Sequence, residues 1–343
     1  MIDVHGFEAQ KLDAYLRHHL EPYDGPFAIS VLSGGQSNPT FLLSGRERKF
    51  VLRKKPSGIL LPSAHAVDRE YRIIGALRGS DVPVAKAWLY CDDADVIGTP
   101  FYVMDFLEGR QFMDPALPGL EPQQRHAIWD EFNRVVAALH RLDYVKLGLA
   151  DYGKPGNYLE RQIARWSRQY RASETEHIPT MERLIEWLPR NIPPGDDTSI
   201  VHGDLRIDNL MFDHHSSRIV ALLDWELSTL GHPLADLAYH LMSWRLTAEQ
   251  FRGMAGRDLS ALGIPYEAQY LRRYCERTGR NGIDPAQWEF YMAFSMFRLA
   301  AILQGIVKRA LDGNAASNEA LLTGRRARTI ADVAWAQVER LEG

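Results

Sequence analysis

Between two apolar runs the chain carries HGDLRIDN, which brings His202, Asp204, Asp208 and Asn209 together, and fifteen residues past Asn209 a second apolar run ends abruptly at Asp224, Trp225 and Glu226. A loop held between buried edges presents polar groups in fixed geometry, which is what positioning a reactant requires. A carboxylate and an amide oxygen from one loop, with a second carboxylate delivered by a strand end, make a hard all-oxygen set. Such a set suits Mg²⁺, which keeps several waters and completes its shell on substrate phosphates. Zinc would want more histidine or thiolate than His202 supplies. Asp204 is then left to orient a nucleophile and accept its proton, with Asn209 and Asp224 as metal ligands. His202 reads as a loop support acting through a backbone hydrogen bond. A polar turn between strands accounts for any one of these residues, but not for the set together with two further pieces.

The first piece is LSGGQSNPTFLL, where Gly34 and Gly35 remove side chains between two strands and successive N–H groups beside Ser37 can cradle anionic oxygens. It is neither a dinucleotide fingerprint nor a P-loop, and taken alone a glycine hairpin without a ligand explains it as well. The second piece is a cation in FVLRKKP. Strand alternation puts Arg53 and Lys55 on one face and Lys54 on the other. Arg53 shares its face with Val51 and is the inward candidate, with Glu70 available to fix its guanidinium against nucleotide phosphates. Lys54 and Lys55 read as solvated, and which of the three bases meets the nucleotide stays open.

These groups need elements to carry them. Strand-like runs occupy 27–34, 39–45, 49–55, 84–91 and 100–107, with one helix over 7–20 and another over 64–77. From about residue 121 the period becomes helical, over 121–141, 157–171, 178–189, 233–245, 247–256, 266–278, 285–309 and 315–341, broken only by short apolar runs at 199–201, 209–213 and 218–223. The expectation is an α+β protein, with an N-terminal β-rich lobe over 1–106 that holds the nucleotide-phosphate loop. A larger helical lobe over 107–343 holds the catalytic loop, the metal site and the acceptor site.

Composition narrows the partners. A chain of 343 residues exceeds the usual size of a single core, and a formal net charge of −4 offers no broad basic field for nucleic acid. Cys91 and Cys275 have neither redox nor metal-binding spacing and read as incidental thiols of a reducing, cytoplasmic compartment. The N-terminus is expected to be neither a signal peptide nor an anchor. The most lipid-like stretch, 290–307, is interrupted by Arg298 and Gln304, so a buried helix is the reading and no membrane is expected.

HGDLRIDN, LLDWE, the hairpin SGGQSN, the cation of VLRK and Glu70 in DREY together resemble the aminoglycoside phosphotransferase and choline kinase family of protein-kinase-like enzymes, in a layout running from about residue 27 to 310. The spacing from Asp204 to Asn209 matches that of the kinase catalytic loop, with Gly203 where protein kinases carry arginine, and Asp224 falls where the D-F-G aspartate would be. The resemblance implies a bilobal fold, ATP and Mg²⁺ as cofactors, Asp204 as catalytic base, Asn209 and Asp224 as metal ligands, and Arg53 with Glu70 as the phosphate-orienting pair. It further implies that residues 103–108, with Met104, Asp105 and Leu107, form the adenine-binding hinge, and that Asp236 braces the catalytic loop. No A-P-E follows Asp224, and the short distance to Asp236 leaves no platform for a protein substrate. The implied acceptor is a hydroxyl on a small molecule. The run FVLRKKPSGILLPSAHAVDREYRIIGAL is most similar to the kinase-like domains associated with acyl-CoA dehydrogenases, which implies a hydroxyacyl thioester. An aminoglycoside or a choline-like amino alcohol is the alternative acceptor, and a catalytically silent nucleotide-binding module is the alternative of another class. Tyr158, Arg161, Trp166, Trp225, Tyr239 and Arg298 are candidate acceptor contacts, and a monomer or homodimer is expected.

Overall fold

The computed structural model describes residues 6–32, 38–56, 65–312 and 318–342. The chain forms two compact units: Met1–Arg110 with Val145–Leu149 and Met211–Ser228, and Gln111–Tyr144 with Ala150–Leu210 and Thr229–Gly343.

In the first unit the chain runs through α1 (Ala9–His19), β1 (Ala28–Val31), β2 (Thr40–Ser44), β3 (Lys49–Lys54), α2 (Val67–Leu77), β4 (Ala87–Cys91), α3 (Ala94–Ile97) and β5 (Phe101–Asp105). All five expected strands are present and pair antiparallel in the order β1-β2-β3-β5-β4. Central β3 is covered on both faces. Phe50 and Leu52 enter a core with Leu12 and Leu16 of α1 and with Leu43, Phe101 and Val103. Because side chains alternate along a strand, Val51 and Arg53 point the other way. Arg53 lies opposite Tyr102 of β5 in the ladder, on the face covered by α2, whose Val67, Ile73, Ile74 and Leu77 are buried.

Lys54 corrects the expectation of a solvated side chain. It is 4% exposed, with its ammonium 5.2 Å from the centroid of the Phe7 ring, and burial pushes its pKa down. Alternation fixed which face Lys54 occupies; it could not say that the face would be covered.

The segment 211–228 joins this unit by backbone pairing. Arg110 and Phe212 exchange N–H···O bonds of 2.7 and 2.8 Å, and Leu222 N donates to Pro83 O at 2.9 Å. After the strand Ile219–Leu222 the backbone reaches Asp224 and then a single 3₁₀ turn, Trp225–Leu227, that packs against α2.

The second unit holds α4 (Pro122–Arg141), α5 (Tyr158–Ala172), α6 (Pro179–Trp187), α7 (Pro233–Arg245), α8 (Ala248–Phe251), α9 (Leu259–Leu262), α10 (Glu267–Thr278), α11 (Pro285–Leu311), α12 (Asn318–Gly324) and α13 (Ala327–Glu342). A two-stranded ribbon pairs Ser199–Val201 antiparallel with Thr229–Gly231. Helix α11 packs against α5, α7 and α13. It is the one helix among the described residues long and apolar enough to cross a membrane, and 83% of its most apolar window is buried inside the protein. A helix apolar all round and covered by neighbours is a core helix. Two expected helices are revised. The helix foreseen over 315–341 breaks into α12 and α13, and that over 247–256 stops at Phe251, because Arg252 takes a left-handed φ of 42°.

Candidate active site

The HGDLRIDN loop leaves the buried strand Ser199–Val201 and is held from several sides within the second unit. Gly203 has a φ of 84°, a left-handed conformation that a side chain would strain. That turn points the N–H groups of His202 and Gly203 at the carboxylate of Asp236, each at 2.8 Å. Asp236 sits in the first turn of α7, is 3% exposed, and also receives Nε2 of His140 from α4 at 3.3 Å. Burial alone would raise its carboxyl pKa, but His140, His202 and the loop N–H hold it below the usual carboxylate range. His140 is fixed in turn by the Tyr274 hydroxyl, 2.8 Å from its Nδ1. Asp204 N donates to His202 Nδ1 at 3.2 Å, so the buried imidazole supports the loop through the backbone.

Asn209 closes the loop. Its Nδ2 donates to the carbonyl of Asp204 at 2.8 Å and to Oδ2 of the same residue at 2.9 Å. With the amide nitrogen spent there, Oδ1 is the atom left to meet a cation. The other carboxylate oxygen of Asp204 faces Arg206, whose Nε lies 3.2 Å from Oδ1, while the same guanidinium reaches Asp208 at 3.3 Å. Asp208 also receives Arg252 at 2.6 Å and is part of the scaffold. Tyr239 of α7 stands beside Asp204: burial first, and then the Asp204 charge, push its hydroxyl pKa well up.

The first unit contains the second constellation. Arg53, 13% exposed at its side chain, forms ion pairs with Glu70 (Nε to Oε2, 3.1 Å) and Asp224 (Nη2 to Oδ1, 3.0 Å), with Glu226 at 3.9 Å. Glu70 also accepts from Asn38 at 2.7 Å and from the Tyr102 hydroxyl at 3.0 Å. Burial would lower the Arg53 pKa, but Glu70, Tyr102 and Asp224 outweigh it and keep the guanidinium charged. Asp224 has a φ of 63°, a left-handed conformation costing a non-glycine residue about 1–2 kcal/mol. Strain of this kind persists where the surroundings over-determine a residue, as at functional sites.

The structure thus brings Arg53, Glu70 and Asp224 together in one unit and His202, Asp204, Asn209 and Asp236 together in the other. Met104 and Asp105 lie half-buried in β5, where the Asp105 carboxylate accepts from Trp88 Nε1 at 2.6 Å, and half-buried Leu107 follows the strand end. Gly34, Gly35 and Ser37 lie outside the described residues. Among the candidate acceptor contacts, Arg161 is bound to the carbonyls of Gly156 and Lys154, and Trp225 is 2% exposed with its indole N–H on Leu222 O. Sequence reasoning missed Arg206, His140, Tyr102 and Asn38. Arg206 was within reach, two residues past Asp204 in the quoted motif; His140 and Tyr102 carry no local signal, because only tertiary packing aims them at Asp236 and Glu70.

A family model described as APH, phosphotransferase enzyme family, matches residues 28–290. The chain belongs to the phosphotransferase enzyme family. This phosphotransferase is 47% identical over 327 residues to acyl-CoA dehydrogenase family member 10 of Mus musculus, a match that covers 94% of this chain and 30% of that protein. It is 41% identical over 329 residues to acyl-CoA dehydrogenase family member 11 of Homo sapiens, covering 94% of this chain and 42% of that one. The phosphotransferase therefore spans less than half the length of these curated relatives. Among solved structures, a "putative aminoglycoside phosphotransferase" from Ralstonia eutropha matches with a TM-score of 0.89 and 52% identity, over 97% of this chain and 99% of that chain. A choline kinase from Cryptosporidium parvum matches with a TM-score of 0.66 at 12% identity, over 97% of this chain and 96% of that chain, and shows the fold alone. The resemblance read from the motifs is borne out. The fold is the bilobal, protein-kinase-like α+β fold, with a small antiparallel β-rich lobe and a larger helical lobe.

Proposed function

We propose that this phosphotransferase is an ATP- and magnesium-dependent kinase that phosphorylates a hydroxyl of an acyl thioester. The observation that carries the reading is the loop itself, in which Asp236 fixes the His202 and Gly203 N–H groups and Asn209 fixes the Asp204 carboxylate. A base held this firmly can accept a proton from an attacking hydroxyl without rearranging. The hydroxyl oxygen attacks the γ-phosphorus in line, its proton passes to Asp204, and the bond to the ADP leaving group breaks, giving a phosphate ester and ADP.

Asn209 Oδ1 and the partly exposed Asp224 carboxylate are hard oxygen donors of the kind Mg²⁺ takes. When bound, the metal would supply charge neutralisation on the nucleotide phosphates. Arg53, fixed by Glu70, is the base assigned to orient those phosphates, since Lys54 lies on the opposite face of β3. Gly34, Gly35 and Ser37 are assigned to cradle them, and Met104, Asp105 and Leu107 to the adenine hinge.

One observation favours an acyl over a cationic acceptor: the curated relatives carry acyl-CoA dehydrogenase names. Cys91 and Cys275 are both free and buried, which supports a cytoplasmic setting; a monomer or homodimer is the form we assign.

The test is Mg²⁺-dependent ATP consumption against hydroxyacyl-CoA thioesters, aminoglycosides, choline and ethanolamine, with product identification by mass. Asp204→Asn should lower kcat by about 10²–10⁴-fold while ATP still binds. Near-normal turnover in that variant removes Asp204 as the base. Turnover of choline or an aminoglycoside alone would leave the kinase and overturn the acyl acceptor.

A further inference from the structure

Helix α11 is buried along most of its length, yet it carries Arg298 into the core at 6% exposure. Among the described residues Arg298 forms no ion pair within 4 Å, and its Nε is buried without a hydrogen-bond partner. Arginine cannot escape this by losing its proton. A guanidinium left without a counter-ion in a core is costly, so its place there calls for a return other than stability.

What the guanidinium touches supplies that return. Its Nη2 donates to the carbonyl oxygen of Gly203 at 2.5 Å. Its central carbon lies 4.7 Å from the ring centroid of Tyr239 and 5.3 Å from that of Trp166, two aromatic faces that hold a planar cation in place. Gly203 O belongs to the peptide that leads directly into Asp204. The N–H groups of His202 and Gly203 are taken by Asp236, so the loop is gripped by an anion on its donors and by Arg298 on its acceptor. The Tyr239 hydroxyl responds to the charges of both Asp204 and Arg298, which puts the three groups in one neighbourhood.

We propose that Arg298 is a positioning residue for phosphoryl transfer: it fixes the Gly203–Asp204 peptide and so aims the Asp204 carboxylate at the acceptor hydroxyl. It was a candidate acceptor contact by sequence; the structure spends it on the loop backbone. The inference rests on Asp204 being the base, and the controls separate the two.

Arg298→Met keeps the length and removes the charge and the donor. Exchanging an unpaired buried charge for an apolar side chain of similar size leaves folding intact or improves it, so thermal stability should be equal or higher while kcat falls 10- to 100-fold. The KM for ATP and the affinity for Mg·ATP should stay within twofold of wild type. Arg298→Lys, which retains a cationic donor, should recover part of the lost kcat. Unchanged kcat in Arg298→Met overturns the proposal. So does a parallel loss of melting temperature, ATP affinity and kcat, which marks a purely structural residue, and so does a raised acceptor KM at unchanged kcat, which marks an acceptor ligand. Asp204→Asn measured alongside tells the failures apart: if it is active, the base assignment has failed; if it is inactive while Arg298→Met turns over normally, only the role of Arg298 has.

Discussion

Asp236→Asn separates the loop brace from Asp204, the proposed base. The native carboxylate accepts two backbone N–H bonds of 2.8 Å and a third contact from His140. An asparagine presents one oxygen and one NH₂, so one loop N–H keeps an acceptor and the other faces a donor. A hydrogen bond to a charged group is worth about 1.5–3 kcal/mol against about 0.5–1.5 for a neutral one, and a buried donor left unpaired costs about 1–3 kcal/mol. The surviving bond weakens by about 1 kcal/mol and the orphaned N–H adds its own penalty, for a total loss of about 2–4 kcal/mol. A freed loop that moves by about 1 Å costs turnover on the order of 100-fold. Urea unfolding followed by tryptophan fluorescence and steady-state kinetics read the two effects. Sign follows from the depressed carboxyl: its stabilisation is complete above the unfolded-state value of about 3.9 and is lost as pH falls through the lower folded value. Wild type and variant should therefore converge in acid. An unchanged urea midpoint at neutral pH refutes the hydrogen-bond reasoning, and full turnover in a destabilised variant refutes the link from brace to base.

Three further outcomes follow from the same geometry. Glu70→Gln removes the charge that shares Arg53 with Asp224 and should raise the KM for ATP about tenfold, a change of about 1.4 kcal/mol; an unchanged KM would detach Glu70 from nucleotide binding. Lys54→Met replaces a buried ammonium by a chain of similar volume and should leave activity unchanged with stability equal or higher by about 1–2 kcal/mol, whereas Arg53→Met should abolish turnover; the opposite ranking would reassign the phosphate contact to Lys54. Burial pushes His232 down to about 4 and His240 down to about 3, so below the unfolded value of about 6.5 the unfolded chain binds protons that the native state refuses. Stability should fall as pH drops, by roughly 2–3 kcal/mol between pH 6 and pH 5 from this pair, and His240→Leu should remove about half of that slope in urea titrations across the range.

Strong local patterns made much of this legible. Period-two runs bounded by turn residues announce β1 to β5, and the polar HGDLRIDN between apolar edges announces its loop, since no buried strand would carry such residues unpaired. Failures came where geometry depends on distant contacts. The strand Thr229–Gly231 is too short to show a period and exists through its pairing with Ser199–Val201. The break between α12 and α13 falls within a continuous helical pattern, and Arg252 carries no mark of the left-handed conformation that ends α8. Charged residues misled most: the alternation of β3 assigns Lys54 a face without saying that α1 and Phe7 cover it, and a lone arginine in an apolar helix does not reveal that its partner is a backbone carbonyl on another element.

The N-terminal unit is discontinuous, and that has a consequence for how the protein is made. Arg53 and Asp224 meet in it although 171 residues separate them. At ribosomal speeds of about 5–20 residues per second, the aspartate emerges roughly 9–34 s after the arginine. Through that interval the sheet and α2 are present as a nascent chain that lacks the strand Ile219–Leu222 and the turn that packs on α2. The lobe that is first in sequence is therefore not the first that can be finished. Chaperone demand during translation, and the yield of active enzyme per chain synthesised, would register a lesion in 211–228 before the stability of the completed molecule did.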